Sequence, residues 1–183
     1  MLVNENVTKD AENSAVTGNP SALKKFLIDG VKTLCNAGIS AIVIPCNTAH
    51  VFIEDLRNTS EVEVVSIIEE TAKVIASKFK KVGLLATSTT VNFRLFQKEF
   101  ANFNVDLVLP SAETQKKIDK IINSILQLGK SSLSINTTAR ELASELTSQG
   151  AEAILLACTD LQFIDFGDVR VIDSLQILED VAF

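Results

Sequence analysis

Residues 37–46, AGISAIVIPC, decide the fold, because the same pattern returns in residues 149–158, QGAEAILLAC. Gly, Ala, Ile and Cys coincide at a constant offset, and a leucine precedes each copy, Leu34 in the first and Leu146 in the second. Each copy has the pattern of a helix, a glycine that ends it, a buried strand and a cysteine. The repeat predicts two related α/β halves, each with one cysteine at a strand end.

The rest of the chain alternates short apolar runs with longer segments of helical periodicity, as in βα units around a parallel sheet. The predicted strands are residues 41–45, 62–66, 82–86, 105–110, 151–157 and 169–172. The predicted helices are residues 20–36, 49–58, 67–79, 92–100, 112–128, 137–148 and 174–181. We therefore predict an α/β fold with two pseudo-symmetric parallel-sheet halves. The first half covers residues 1–79 and the second covers residues 80–173, with the last helix, 174–183, as a candidate to rejoin the first.

Composition and charge exclude several functional classes. The chain has 23 acidic and 17 basic residues, a net charge of −6, and no basic stripe that would suit a nucleic acid or an anionic membrane. No apolar run approaches the roughly 20 residues that cross a bilayer, and residues 1–5 do not begin a secretory signal. Three cysteines without metal-site spacing indicate free thiols. We expect a cytoplasmic protein with no nucleic-acid, membrane or metal partner.

The two repeat cysteines are candidates for catalysis because each follows a buried strand. Ligands of open parallel sheets bind beyond the carboxyl ends of the strands, so two facing halves would bring Cys46 and Cys158 to one cleft. Asn47 and Thr48 are favourable helix N-caps, and a thiol at a helix N-terminus has a lowered pKa. Cys158 would gain the same setting from the residues behind it. Free cysteine is also a small buried hydrophobe, the role that best suits Cys35.

Other polar residues have two open interpretations each. The hydroxyls of residues 87–90 either bind a second anionic group or cap the next helix. His50 either stabilises a thiolate or makes a structural hydrogen bond. Asp160 either positions an amino group or a thiol, or caps a turn, and Lys130 either reaches a ligand carboxylate or is a solvated lysine. Residues 173–174 have mainly the character of a helix N-cap.

The cysteine segments resemble the two signature segments of the cofactor-independent aspartate/glutamate racemases. These segments are residues 46–50, CNTAH, and residues 156–160, LACTD. Residues 83–87 (GLLAT), Pro110, Gln115 and residues 171–174 (VIDS) are similar to the same family. The resemblance covers most of the chain and implies two Rossmann-like halves with the active site in the cleft between them.

The resemblance implies an amino-acid racemase, active as a homodimer, that interconverts L- and D-aspartate or glutamate without any cofactor. In this family one cysteine thiolate removes the Cα proton and a second thiol protonates the opposite face, roles that fall here to Cys46 and Cys158. His50 and Asp160 would support the thiols. Substrate binding would fall to Asn4, Asn47, Thr48, Thr87, Thr89, Thr90, Lys130 and Thr159.

The chain also departs from the family pattern. Asp160 stands where a glutamate is usual, and Ala157 stands where a glycine is common. Residues 1–4 are expected to form the second strand of the family fold, so the usual first βα unit is lacking. The alternative from another class is a catalytically inactive protein of the same fold that binds a ligand or a subunit. Two signature cysteines favour racemisation, because a single thiol delivers a proton to one face only.

Overall fold

The structure is a computed structural model that describes residues 20–129 and 131–182. The described strands are β1 (Ala41–Val43), β2 (Glu63–Val65), β3 (Lys81–Ala86), β4 (Asp106–Val108), β5 (Ala153–Ala157) and β6 (Val171–Asp173). The described α-helices are α1 (Ser21–Asn36), α2 (Ile53–Thr59), α3 (Ile67–Ala76), α4 (Ser88–Asn92), α5 (Leu95–Ala101), α6 (Ala112–Leu128), α7 (Leu133–Ser148) and α8 (Ser174–Ala182). Two 3₁₀ helices, Thr48–Phe52 and Thr159–Phe163, follow β1 and β5.

The strands form two separate parallel sheets. Within the described residues the first sheet pairs β1 with β2, and the second sheet has the order β4-β3-β5-β6. Each strand predicted within these residues is present, in most cases shorter than predicted because fewer residues pair than have a strand-like composition. The predicted α/β class, with parallel sheets in two halves, is confirmed.

Helices cover both faces of the second sheet, so β3 and β5 are buried almost throughout. On one face α6 and α7 contribute Ile122 and Leu146 to the apolar core. On the other face α3, α5 and α8 contribute Ile75, Phe96 and Leu178. This double cover explains why the two strands have continuous apolar runs rather than alternating ones.

The first sheet is joined to the second by packing. Ile42 of β1 and Val64 of β2 belong to a core that α1 and α2 complete. The neighbouring residues Val43 and Val65 point to the other face, as strand geometry requires, and pack against the core beside α3. The helix α8 belongs to that same core. The carboxyl ends of β1 and β5 therefore belong to one packed body.

Several helix predictions differ from the structure, and one of them is that of residues 137–148, because α7 already begins at Leu133 behind its cap Ser132. The single helix predicted at residues 92–100 is wrong, because Arg94 has a left-handed backbone with φ 58° and separates α4 from α5. The helix predicted at residues 49–58 begins as a 3₁₀ helix. Residues 161–166, which belong to none of the predicted helices and strands, contain the end of the second 3₁₀ helix.

The strand predicted at residues 1–4 lies outside the described residues. Among the helices of residues 20–129 and 131–182, none combines the length and apolarity that crossing a bilayer requires.

Candidate active site

The two repeat cysteines lie at equivalent places in the two sheets. Cys158 follows β5 directly, and Cys46 follows β1 after a tight turn in which its N–H donates to the Ile44 carbonyl at 2.8 Å. Each is followed by a short 3₁₀ helix. The two halves therefore have matching structures beyond the cysteines, where the sequence repeat ends. Cys158 is buried and Cys46 is half-buried. Both thiols thus lie at the sheet edge where parallel α/β folds bind ligands.

Asn47 connects the segment of Cys46 to the segment of Cys158. Its Nδ2 donates to Ser174 Oγ at 3.0 Å, and Ser174 Oγ donates to the carbonyl of Leu156, in β5, at 2.9 Å. The prediction that Asn47 caps a helix is wrong, because its backbone is already helical and its side chain makes no capping bond. Asn47 instead links residues 127 positions apart in the chain.

Thr48 makes a second connection between the two sheets, and it too differs from the predicted N-cap. Its Oγ1 lies 2.9 Å from Thr87 Oγ1 and 3.2 Å from Thr90 Oγ1, and the last two hydroxyls are 3.1 Å apart. Thr87 also caps α4 by accepting from the Thr90 N–H at 3.1 Å. The three hydroxyls form a buried triangle, and Thr89 beside them is buried as well. The capping interpretation of residues 87–90 is therefore realised.

His50 makes structural hydrogen bonds to the backbone. The Ile67 N–H donates to His50 Nε2 at 3.2 Å, so Nδ1 carries the ring hydrogen and donates to the Cys46 carbonyl at 2.9 Å. Burial lowers the pKa of His50 to about 4, partly offset by the Cys46 carbonyl, and nearby Arg57 lowers it slightly further. His50 is therefore neutral at pH 7. It holds the backbone of Cys46 and carries no charge to stabilise a thiolate.

Cys158 does not have the lowered pKa expected from a helix start. Its Sγ donates to Asp160 Oδ2 at 3.6 Å, which realises the predicted contact between Asp160 and a thiol. Burial raises the pKa of the Cys158 thiol well above its usual range, and the carboxylate of Asp160 raises it further, whereas a hydrogen bond with the Asp160 backbone lowers it in part. Burial raises the pKa of Asp160 as well. Cys158 is therefore a neutral thiol at rest.

A hydrogen-bond network behind residues 86–88 was not anticipated. Asp119 Oδ1 accepts from the Ser88 N–H at 2.9 Å and from Gln115 Nε2 at 3.1 Å, and Asp119 Oδ2 accepts from Ser88 Oγ. Gln115 Nε2 also donates to the Ala86 carbonyl at 2.9 Å. The resemblance already pointed to Gln115, whereas nothing in the local sequence marks Asp119. This network holds the segment that carries Thr87.

Of the other residues discussed from the sequence, Thr159 and Cys35 lie within the described part of the chain. Thr159 begins the 3₁₀ helix after Cys158 and is half-buried. Cys35 packs beside the first-sheet core, with its Sγ 3.7 Å from Ser60 Oγ. Asn4 and Lys130 lie outside the described residues. Within the described part of the chain, no cluster of three or more His, Cys, Asp or Glu side chains is arranged for a metal ion.

Comparison of the sequence with known proteins finds similarity to amino-acid racemases. A sequence model of the Asp/Glu/Hydantoin racemase family matches residues 1–180. The chain is 32% identical over 155 residues to the broad specificity amino-acid racemase RacX of Bacillus subtilis (strain 168), covering 83% of this chain and 67% of RacX. It is 27% identical over 136 residues to the glutamate racemase of Limosilactobacillus reuteri (strain DSM 20016), covering 73% of this chain and 49% of that protein.

Solved structures give the same result for the fold. An aspartate racemase homologue from Pyrococcus horikoshii OT3 superposes with a TM-score of 0.72 at 32% identity, covering 88% of this chain and 75% of that one. The aspartate racemase of Picrophilus torridus superposes with a TM-score of 0.76 at 24% identity, covering 100% of this chain and 79% of that one. The arrangement of the two parallel sheets is therefore one found in aspartate racemase structures.

Proposed function

The chain belongs to the Asp/Glu/Hydantoin racemase family, and from that premise we propose that it racemises an acidic amino acid at Cα with Cys46 and Cys158. One observation carries this proposal: the two thiols follow the carboxyl ends of parallel strands in different sheets, and hydrogen bonds through Asn47 and Ser174 join their segments. Inversion at Cα needs a base on one face and an acid on the other. Thiols at strand ends in two different sheets support an assignment in which each faces one side of Cα.

The proposed reaction is a pair of proton transfers. The thiolate of one cysteine removes the Cα proton, which leaves the electron pair delocalised into the neighbouring carboxylate. The thiol of the other cysteine then gives its proton to the opposite face of Cα and becomes a thiolate. Because Cys158 is a neutral thiol at rest, it enters as the acid, and Cys46 supplies the base in that direction. The roles exchange when the opposite enantiomer reacts.

A Cα proton is so weakly acidic that the thiols alone do not explain turnover. Polar groups that are fixed before the substrate arrives must stabilise the charge that develops on its carboxylate. Asn47 and Thr48 are buried beside Cys46 and held by hydrogen bonds with Ser174 and Thr87. Such groups do not have to reorganise during the reaction, and their burial excludes water from that side of the site.

The substrate contacts follow from the chemistry of each group. Asn47 Oδ1 is a buried acceptor without a hydrogen-bond partner among the described residues, which suits the ammonium group of an amino acid. Thr48 and Thr159 are proposed to bind the carboxylates, together with the segment of residues 87–90. The triangle hydroxyls donate to one another in the present arrangement, so each must turn its hydrogen to reach a ligand. Asn4 and Lys130 stay proposed substrate contacts.

The finer points of the proposal concern substrate, cofactor and assembly. Aspartate and glutamate are the proposed substrates, and the broad specificity named for RacX makes a wider range of amino acids worth including in an assay. We propose that the reaction needs no added cofactor, because its two proton transfers are assigned to side chains of the chain itself. A homodimer and a cytoplasmic location stay predictions of the sequence.

Hydrogen exchange at Cα tests the proposal. The protein is incubated in deuterated buffer, without added cofactor, with L-aspartate or L-glutamate. We expect deuterium at Cα together with the D-enantiomer, measured by mass spectrometry and chiral chromatography. Cys46→Ser and Cys158→Ser should each lower the rate of racemisation by about 10²–10⁴-fold or more, whereas Cys35→Ser serves as the matched control and should keep it. If no acidic amino acid shows exchange or inversion, that result would favour a ligand-binding protein without this activity.

A further inference from the structure

We propose that Ser174 is a positioning residue that fixes the direction of the Asn47 side-chain amide and so makes the site prefer ligands with an ammonium group. This inference rests on the proposed function, because it names the group of the amino acid that Asn47 receives. Ser174 is separated from the two cysteines in the sequence, and its hydroxyl does not cap α8. The capping bond there comes from Asp173, whose Oδ1 accepts from the Leu175 N–H at 2.8 Å.

The direction of the amide follows from counting hydrogens. The hydroxyl of Ser174 has a single hydrogen, and it donates that hydrogen to the Leu156 carbonyl at 2.9 Å. The Ser174 oxygen can then only accept from Asn47, and Asn47 Nδ2 donates to it at 3.0 Å. The amide is therefore held with Nδ2 toward Ser174 and Oδ1 away from it.

The burial of this chain of bonds keeps the direction fixed. Ser174 is 0% exposed and Asn47 is 2% exposed, so water cannot replace either partner without entering the interior. Asn47 Oδ1 is left as a buried acceptor with no hydrogen-bond partner among the described residues. Such an acceptor attracts a donor-only group such as an ammonium and repels a carboxylate, which offers only further acceptors.

The position of the unpaired acceptor connects it to the reaction. Asn47 directly follows Cys46, and Leu156 lies two residues before Cys158 on β5. The three linked groups therefore run from the segment of one thiol to the segment of the other. An ammonium bound at Oδ1 would hold the neighbouring Cα beside Cys46, whereas a reversed amide would present N–H groups there instead.

Comparing an amino acid with its des-amino analogue tests this inference. Calorimetry gives the dissociation constants of L-aspartate and succinate, and of L-glutamate and glutarate, for the wild-type protein and for Ser174→Ala. In wild type we expect the amino acid to bind more tightly than its analogue. Ser174→Ala should weaken the hydrogen bond between Asn47 Oδ1 and the charged ammonium group, and it should therefore lower that preference about tenfold or more. The affinity for the des-amino analogue should change little.

Two further variants separate positioning from general damage. Ser174→Thr retains a hydroxyl and should retain the preference if it folds. Ser132→Ala removes a hydroxyl that caps α7 and should leave the preference unchanged. The inference is overturned if Ser174→Ala weakens both ligands by the same factor, if it alters neither, or if wild type shows no preference for the amino acid. Preference without hydrogen exchange at Cα would instead contradict the proposed function alone.

Discussion

Cys46 and Cys158 occupy matching places in the repeat, yet their surroundings differ. Cys46 is half-buried, and its carbonyl accepts from the neutral ring of His50. Cys158 is buried, and its thiol donates to Asp160. A negative carboxylate beside a buried thiol opposes its ionisation, which is the reverse of the effect expected from a helix N-terminus. The environment of Cys158, rather than its place in the repeat, sets its protonation state.

The reactivity of Cys158 should therefore depend on Asp160. Asp160→Asn removes a negative charge that raises the pKa of Cys158, so the thiol of the variant should ionise at lower pH. Iodoacetamide labelling of the Cys158 peptide, followed by mass spectrometry from pH 6 upward, should show its midpoint at lower pH in the variant. Asp165→Asn is the matched control, because Asp165 pairs with Arg140 on the surface. An unchanged midpoint in Asp160→Asn would show that the carboxylate does not control this thiol.

His50 should make the protein sensitive to mild acid. Its pKa is about 4 in the folded protein against 6.5 for an unperturbed histidine, so between pH 6.5 and pH 4 it is mainly the unfolded chain that takes up this proton. The free energy of unfolding should be undiminished above pH 6.5 and should fall between pH 6.5 and pH 4 by about 3 kcal/mol. Urea unfolding at several pH values measures this loss.

The control for the acid sensitivity is His50→Gln, which is informative because the chain has one histidine. The raised pKa values of Asp160 and Asp173 act in the opposite sense, since protonation of these carboxyls on acidification favours the folded state. Wild type and His50→Gln both retain these carboxyls, so the difference between the pH profiles of the two proteins isolates His50. Parallel profiles for wild type and His50→Gln would contradict the assignment of a buried neutral ring.

At the scale of elements, β3 shows how closely helices approach the second sheet. A side chain at Gly83 would place its Cβ 2.9 Å from Leu146 Cβ in α7 and 2.8 Å from Ile154 Cδ1 in β5. Contacts this short require the helix or the strand to shift. The glycine thus permits α7 to lie directly on the sheet, next to the strand that leads to Cys158.

Gly83→Ala should accordingly destabilise the protein. Overpacking at a buried position costs about 1–3 kcal/mol, which denaturant unfolding would detect. Gly38→Ala provides a control with open space around the added Cβ and a positive φ of 73°, so it isolates the cost of backbone strain. We expect the larger loss at Gly83. A loss at Gly83 no greater than at Gly38 would mean that α7 has room to move.

The elements themselves were largely predictable from the sequence. The apolar runs identified the strands within the described residues, and helical periodicity gave α6 with its observed ends, because Ser111 caps it and Gly129 ends it. The break at Arg94 was not predictable, since a left-handed arginine has no signature in composition. The 3₁₀ start after Cys46 was also missed, because Asn47 has the composition of a cap but directs its side chain to Ser174.

At the scale of the whole molecule, the repeat predicted that the two cysteines would lie at equivalent strand ends. It did not predict the bonds that join the two sheets. Ser174 and Thr87 lie far from residues 46–50 in the sequence, and their bonds to Asn47 and Thr48 depend on how the sheets pack. Such long-range polar contacts leave no local pattern. The catalytic candidates could therefore be read from the sequence, whereas the groups that hold them required the structure.

The proposed opposition of the two thiols across Cα can be measured in the single variants. Cys46→Ser and Cys158→Ser each keep one of the two site thiols, which can still remove a Cα proton while chloride leaves Cβ of a 3-chloro-substituted acidic amino acid. Consumption of the two α-enantiomers is followed separately by chiral chromatography, with Cys35→Ser as the control that retains both thiols.

We expect each variant to consume one enantiomer, and the two variants to consume opposite ones, because each remaining thiol faces one side of Cα. Cys35→Ser should consume both enantiomers. Both single variants should also fail to racemise aspartate and glutamate, since serine does not ionise usefully near neutral pH. Consumption of the same enantiomer by both variants, or racemisation by either variant at the wild-type rate, would contradict the two-thiol mechanism.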